Sequence, residues 1–400
     1  MIQSFIVYSS LMAIMILFAV LVSKNSSVVT SSDQLVQKSF WRFEILFPLL
    51  LFAIIFGMRY DVGWDHIGYL EGYLSKDHVS KGEPLFELIS EIGWKLNLHY
   101  VIYFSIIAFI QILFFFYAFK EEKYLFPFLV FFLFTNGDWS FWMNGLRQTL
   151  AMCIWIYSLK YIEKKLFLSY LIWCIVAFLF HRSAAIMIFF YPILSNGKDY
   201  FKCIPLQLLL LAGAFVIKEI FSDLLLRIEP LINTYADIIG GGSYGGYNVR
   251  SLQESFRESD GTGLVYIFRL ILNVLIIIYS KKLKNYYHSK RFIIIYFFFF
   301  IGIIFLYIIP VGAIAIRRPF QYFYTFQMIM YAYFIYYLYK TKKKSFKYGM
   351  IHALMYYGIL IIFIGIFYFS LVTSDNESHL WYQFYFNQEI YGYPNLSLIK

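Results

Sequence analysis

The chain alternates between long apolar runs and short polar breaks. A helix needs about 20 apolar residues to cross the hydrocarbon core of a bilayer, and several runs approach this length. The runs cover residues 4–22, 43–57, 100–119, 124–136, 143–159, 166–180, 183–195, 205–221, 264–280, 292–312, 319–339 and 348–372. The pattern predicts an all-α integral membrane protein with about 11–12 transmembrane or half-membrane helices. The short runs 124–136 and 183–195 are half-helices, re-entrant segments or spans that continue into polar residues.

Composition strengthens this interpretation. Of the 400 residues, 60% are hydrophobic, 23% are aromatic and only 14% are charged. A soluble globular chain has roughly 45–50% apolar and about 25% charged residues. So few charges could not cover a soluble surface, which predicts one polytopic membrane domain over residues 1–400.

The basic residues indicate orientation rather than nucleic-acid binding. The formal charge is +10, but the cations cluster in short breaks between apolar runs. The breaks at 281–291 and 340–347 each carry five cations and no acid, which favours a cytoplasmic location. Counting spans outward predicts extracytoplasmic loops at 58–99 and 222–263 and an extracytoplasmic tail at 373–400.

The first polar cluster follows the second apolar run. Arg59 precedes Asp61, Asp65, Tyr69 and Tyr73, and the last four would share one face if the segment were helical. Carboxylates beside aromatic rings suit a carbohydrate, because carboxylates accept hydrogen bonds from hydroxyls and rings stack on sugar faces. The alternative is a solvated interfacial loop with an aromatic belt.

Two further clusters interrupt apolar sequence. Asn144, Arg147 and Gln148 have the spacing of one helical face, and His181 and Arg182 lie between two apolar runs. Ionisable groups at such positions are candidates for function. The alternatives are an arginine that reaches the membrane surface and a structural histidine.

The fourth cluster places Arg317 and Arg318 shortly before Tyr322, on the predicted outer side. An anionic ligand would offset the cost of two cations there, and the alternative is pairing with acids of the outer loops. Arginine offers a planar fork for phosphate oxygens, so the outer arginines predict recognition of phosphate or diphosphate. The sequence contains no phosphate-loop or zinc-ligand pattern, and we expect neither a metal nor another cofactor.

These clusters, in this order, resemble the EpsG/Wzy group of polysaccharide polymerases over about residues 50–340. The motifs are Arg59-x-Asp61-x-Gly63-x-Asp65, Asn144-Gly145-x-Arg147-Gln148, His181-x-Ser183-Ala184 and Arg317-Arg318. The resemblance implies a membrane glycosyltransferase of the bacterial cytoplasmic (inner) membrane. Such an enzyme joins undecaprenyl-diphosphate-linked oligosaccharides into an O-antigen, capsule or exopolysaccharide and releases undecaprenyl diphosphate.

The implied partners are the lipid-linked oligosaccharide, as both donor and acceptor, the bilayer, a chain-length regulator and a flippase. Two alternatives remain at this point: an O-antigen ligase, and a transporter or flippase of lipid-linked oligosaccharide. A transporter should show internal repeats, and we find no convincing repeat.

The residue types suggest roles within such a site. His181 ranks first as the base that deprotonates the acceptor hydroxyl, because an imidazole titrates near neutral pH. Asp61 and Asp65 position hydroxyls or hold the arginines. The predicted substrate and diphosphate ligands are Arg59, Tyr69, Asn144, Arg147, Gln148, Arg182, Arg317, Arg318 and Tyr322.

Overall fold

The computed structural model describes residues 2–24, 39–77, 82–227, 263–309, 314–342, 346–373 and 380–387. Within these residues the chain is helical and forms no strand, apart from an isolated bridge between Arg59 and Phe384. The α-helices are α1 (Ile2–Ser23), α2 (Phe43–Gly57), α3 (His66–Ser75), α4 (Pro84–Lys95), α5 (Tyr100–Ala118), α6 (Phe126–Thr135), α7 (Asp138–Asn144), α8 (Leu146–Glu163), α9 (Phe167–Phe180), α10 (Phe190–Leu194), α11 (Ile204–Arg227), α12 (Leu264–Tyr287), α13 (Lys290–Ile308), α14 (Ile314–Thr341) and α15 (Phe346–Thr373). Short 3-10 helices cover Lys123–Leu125, Arg182–Phe189 and Tyr385–Asn387.

The all-α fold is confirmed, and the described residues of each predicted apolar run lie mainly on helical structure. In the described residues, five helical segments are long and apolar enough to cross a membrane: Ile2–Ser23, Tyr100–Ala118, Leu264–Tyr287, Lys290–Ile308 and Gly349–Thr373. Shorter apolar helices include α2 and α9. Large apolar side chains such as Leu354 and Ile361 are exposed on α15, as expected of a surface that faces lipid. The chain is therefore a multi-pass membrane protein.

The chain divides into two compact units, of which the first comprises residues 1–196 and 331–400. In this unit α5 packs between α2 and α8, α8 also packs on α9, and α1 lies against α2 and α6. Gly57 permits the close contact of α2 with α5, because a Cβ there would lie 2.0 Å from Ser105 Oγ and 2.4 Å from the Val101 carbonyl oxygen. This contact fixes the end of α2, where the first polar cluster begins.

The segment 58–99, predicted as a loop, contains the helices α3 and α4. The tail segment 380–387 lies against the end of α2: the Tyr60 N–H donates to the Gln383 carbonyl at 2.9 Å, and the Tyr385 N–H donates to the Met58 carbonyl at 3.0 Å. Of the predicted loop 222–263, the first residues belong to α11, and residues 228–262 lie outside the described residues. The membrane side of these segments remains a prediction.

The second unit comprises residues 197–330. Here α11 packs against α12 and α13, and buried polar side chains join the helices. The Lys284 ammonium pairs with Asp199 at 2.9 Å, and Asn273 Nδ2 donates to the Tyr307 hydroxyl at 2.9 Å. These contacts satisfy polar groups that would be costly if they were left unpaired in an apolar environment.

Candidate functional site

Arg59 is fully buried just beyond the C-terminal end of α2. Its guanidinium donates to the carbonyl oxygens of Val62 at 3.2 Å and Met143 at 2.8 Å, and also to that of Phe56. Burial lowers the pKa of Arg59 to about 10, so the group stays charged at neutral pH. The contacts connect the end of α2 to α7, which places Arg59 as a cross-link between backbone segments.

Replacing Arg59 by methionine should therefore destabilise the protein. Three carbonyls would lose a donor, and each buried unsatisfied group costs about 1–3 kcal/mol, so we expect a loss of about 3 kcal/mol or more. Thermal melting in detergent would measure this loss, with Arg182→Met, an exposed arginine of the same unit, as the control. Wild-type stability of Arg59→Met would show that these three hydrogen bonds do not hold the segments together.

The two predicted aspartates precede α3 rather than lying along it. The helix begins at His66, and Asp61 has a left-handed backbone with φ of 49°, which aspartate tolerates better than most residues. The helical face predicted from Asp61 onward therefore does not include Asp61. Asn144 Oδ1 accepts the Asp65 N–H at 2.7 Å, and His66 Nδ1 accepts the Asp61 N–H at 3.2 Å.

His66 is buried, and burial lowers its pKa well below the ordinary value of 6.5. The ring is neutral at physiological pH and serves as a hydrogen-bond acceptor for the turn. Asn144, from the end of α7, fixes the start of α3. The Asn144 motif and the aspartate motif are thus neighbours in space, although 79 residues separate Asp65 from Asn144 in sequence.

Arg147 lies in the first turn of α8 and holds two partners. Its Nη1 is 2.6 Å from Glu83 Oε2, and its Nε donates to the Tyr69 hydroxyl at 3.1 Å. A cation at a helix N-terminus opposes the helix dipole, so the Glu83 carboxylate compensates for an unfavourable position. The following residue, Gln148, is buried.

Glu83 is the functional candidate that the sequence reasoning missed. It is only 5% exposed and precedes Pro84, the first residue of α4. Burial raises the pKa of the Glu83 carboxyl above its ordinary 4.5, although the nearby charge of Arg147 opposes this shift. The Glu-Pro pair marks a helix start, but segment 58–99 holds seven acids, and nothing in the sequence singles out this one.

His181 interrupts the helical path between α9 and the 3-10 helix, with extended backbone at φ −158°. Its Nδ1 lies 2.6 Å from Ser183 Oγ and accepts the Ser183 N–H at 3.3 Å. A ring nitrogen that accepts from a backbone N–H carries no proton, which assigns the proton of the neutral ring to Nε2. That nitrogen lies 3.9 Å from Glu83 Oε1, so Glu83 is placed between Arg147 and His181.

Arg182 is exposed beside the same carboxylate segment. Its Nε donates to the Gly82 carbonyl at 3.2 Å. Gly82 has φ of +91°, and a Cβ there would lie 1.7 Å from Arg182 Nη2. Only glycine combines this backbone conformation with such a close approach. The contact brings the guanidinium of Arg182 next to Glu83, the residue that precedes α4.

The structure thus brings Tyr69, Arg147, His181 and Arg182 together around Glu83. Of the other predicted residues, Arg317, Arg318 and Tyr322 lie on α14 in the second unit. There the Arg317 guanidinium is 5.0 Å from the centroid of the Tyr324 ring, Arg318 is partly exposed and Tyr322 is fully buried.

A buried carboxylate, an imidazole and two guanidinium groups can carry out acid–base chemistry and bind an anion. In the described part of the chain, no group of three or more His, Cys, Asp or Glu residues is arranged to hold a metal ion.

Fold and site together define a multi-pass α-helical membrane protein with a buried acid–base cluster. A model of the EpsG family matches residues 43–387, so the chain belongs to the EpsG family. This is a family of Wzy-like polysaccharide polymerases, and the resemblance seen in the motifs is confirmed. No curated protein and no solved structure matches the chain.

Proposed function

We propose that this protein is a glycosyltransferase of the bacterial cytoplasmic membrane that polymerises undecaprenyl-diphosphate-linked oligosaccharides on the outer face. The oxygen of an acceptor hydroxyl attacks the anomeric carbon of the donor, and the bond from that carbon to the diphosphate breaks with inversion. The polymer grows by one repeat, and undecaprenyl diphosphate leaves. Family membership supports the reaction class, and the carboxylate of Glu83, buried between Arg147 and His181, is the observation that carries the proposal.

The departing diphosphate needs cationic partners. Arg147 and Arg182 are proposed to supply them in the cluster, and binding of diphosphate by Arg317 and Arg318 stays a prediction from the sequence. Guanidinium groups bind phosphate oxygens through paired hydrogen bonds, and donors placed where charge develops lower the barrier most effectively. The additional proposed substrate contacts are Tyr69, Asn144, Gln148 and Tyr322.

We rank Glu83 ahead of His181 as the base. The Nδ1 of His181 accepts hydrogen bonds from Ser183, and its Nε2 carries the proton of the neutral ring, so neither nitrogen is well placed to take another proton. Burial raises the pKa of the Glu83 carboxyl above its ordinary value. The shift is towards neutral pH, where a general base is most effective. His181 then orients the carboxylate, and Asp61 and Asp65 position hydroxyls.

A deletion strain tests the proposal against its alternatives. If the protein is a polymerase, its deletion should abolish long polymer, and single repeat units should accumulate on the lipid carrier outside the membrane. Full-length polymer that remains on its carrier would indicate a ligase, and lipid-linked units trapped inside would indicate a flippase.

The orientation is tested by thiol labelling. In a Cys203→Ser background, which removes the exposed cysteine, a thiol at Ser75 near the end of α3 should react in intact cells. A thiol at Lys165 should react only after lysis, because the break after α8 is predicted to be cytoplasmic. The reverse labelling pattern would place the Glu83 cluster inside and would overturn the proposed use of an extracytoplasmic substrate.

A further inference from the structure

A groove lies at the end of the first unit opposite the Glu83 cluster. Its cavity volume is about 420 Å³. The walls come from the last turns of α1, the start of α6 with the 3-10 helix before it, the end of α14 and the middle of α15.

Three of the four walls of the groove change from apolar to polar in the same direction. On α1 the lining runs from Ile16 and Val20 to Ser23 and Lys24 as the helix approaches its end. On α15 the apolar Leu360 lies further from the start of the helix than Tyr356 does.

The α6 wall repeats this order, because Phe131 lies further along the helix than Tyr124, which precedes it. The fourth wall, α14, contributes only Tyr336, Tyr339 and Lys340 and so lines the polar mouth. Three walls therefore lead from an apolar interior to a polar mouth. A lipid has the matching arrangement, with an acyl chain and a polar headgroup.

The mouth carries positive charge. Lys24 and Lys340 line it, and none of the residues that line the groove in the described part of the chain is acidic. Lys342 adds a third cation, because its Nζ lies 4.2 Å from the centroid of the Tyr356 ring and donates to the Tyr357 hydroxyl at 3.1 Å. A phosphate group at the mouth would meet ammonium groups and tyrosine hydroxyls, both of which donate hydrogen bonds.

We infer that this groove binds an anionic phospholipid of the predicted cytoplasmic leaflet, with its phosphate at Lys24 and Lys340 and an acyl chain along Val20, Phe131 and Leu360. An anionic lipid is favoured over a zwitterionic one because basic residues at the membrane surface attract net negative charge. The groove is separate from the Glu83 cluster, so this inference does not depend on the proposed reaction.

Thermal melting of delipidated protein in detergent tests the inference, with phosphatidylglycerol or phosphatidylcholine added. Phosphatidylglycerol should raise the melting temperature of the wild type, and phosphatidylcholine should not. The Lys24→Gln/Lys340→Gln double variant should need about 25-fold more phosphatidylglycerol for the same rise in melting temperature. Each lysine near an anionic lipid increases the affinity by about a factor of five.

Two further variants separate a site from general surface charge. Lys164→Gln/Lys165→Gln removes the same charge from a different break and should respond like the wild type. Leu360→Trp fills the groove without a charge change and should lose the response, while its melting temperature without lipid stays close to that of the wild type. An equal loss in the control pair, or an unchanged response in Leu360→Trp, would overturn the inference. A response to polyprenyl phosphate but not to phosphatidylglycerol would also overturn it.

Discussion

Replacing Glu83 by glutamine should reduce polymerisation about 10²- to 10⁴-fold, the contribution typical of a positioned general base. Glutamine keeps the size of the side chain but cannot accept the proton of the acceptor hydroxyl. Surface polysaccharide should shorten to single repeat units on a gel. Glu91→Gln is the matched control, because this partly exposed acid on the same helix pairs with Lys95 at 3.8 Å and is not part of the Glu83 cluster. It should leave polymer length unchanged.

The pH profile tests whether the ionised Glu83 carboxylate is needed for polymerisation. The base must be ionised, and burial raises the pKa of Glu83 above 4.5. The polymerisation rate in membrane vesicles should therefore fall as the pH drops through a value above that of an ordinary glutamate. Glu83→Asp keeps a carboxylate and should retain partial activity with a shifted profile. If the Glu83 carboxylate took no part in the reaction, neither directly nor by holding Arg147, Glu83→Asp would leave the position of the profile unchanged.

Comparison with His181→Ala, Asp61→Asn and Asp65→Asn tests which residue is the general base. If His181 orients the carboxylate, His181→Ala should slow polymerisation less than Glu83→Gln does. Long polymer from Glu83→Gln, together with single repeats from His181→Ala, would return the role of base to the histidine. Single repeats from only one aspartate variant would assign the base to that aspartate.

The sequence predicts the helical fold well because membrane insertion depends on a property that sequence displays directly. A helix that faces lipid needs an uninterrupted apolar run, and the run 43–57 coincides with α2 while 100–119 matches α5 to within one residue. The break at His181 was also visible, since an ionisable group between two apolar runs is exceptional.

Contacts between the polar side chains are harder to predict than the helices, because they join residues that are far apart in sequence. Glu83 and Arg147 are 64 residues apart, and nothing local distinguishes this acid from six others in its segment. Arg59 shows the opposite case. Its motif predicts a ligand, but its guanidinium donates to three backbone carbonyls, one of them 84 residues away on α7, and such a long-range contact is not visible in the local sequence.

Arg147→Lys should impair polymerisation nearly as much as Arg147→Ala, by roughly 10²-fold, the effect of removing a positioned electrostatic donor. The guanidinium uses two separate nitrogens, Nη1 for Glu83 and Nε for Tyr69. A lysine ammonium is a single, strongly hydrated point charge that cannot reproduce this fork. The charge is therefore retained while the geometry that holds the carboxylate, and that would receive the diphosphate, is lost.

The measurement is polymer length and polymerisation rate at matched protein level. Tyr69→Phe is measured as a related variant and Arg42→Lys as the control. Tyr69→Phe removes one hydrogen bond to Arg147, typically worth about 1 kcal/mol, and should slow polymerisation by about fivefold. Arg42 pairs with Glu44 at 2.6 Å at the opposite end of α2, so its exchange to lysine should have no effect. The same exchange at Arg317 and Arg318 tests whether the second unit also binds the diphosphate. Wild-type polymer from Arg147→Lys would show that charge alone suffices, and the proposed role of the arginine fork would then be wrong.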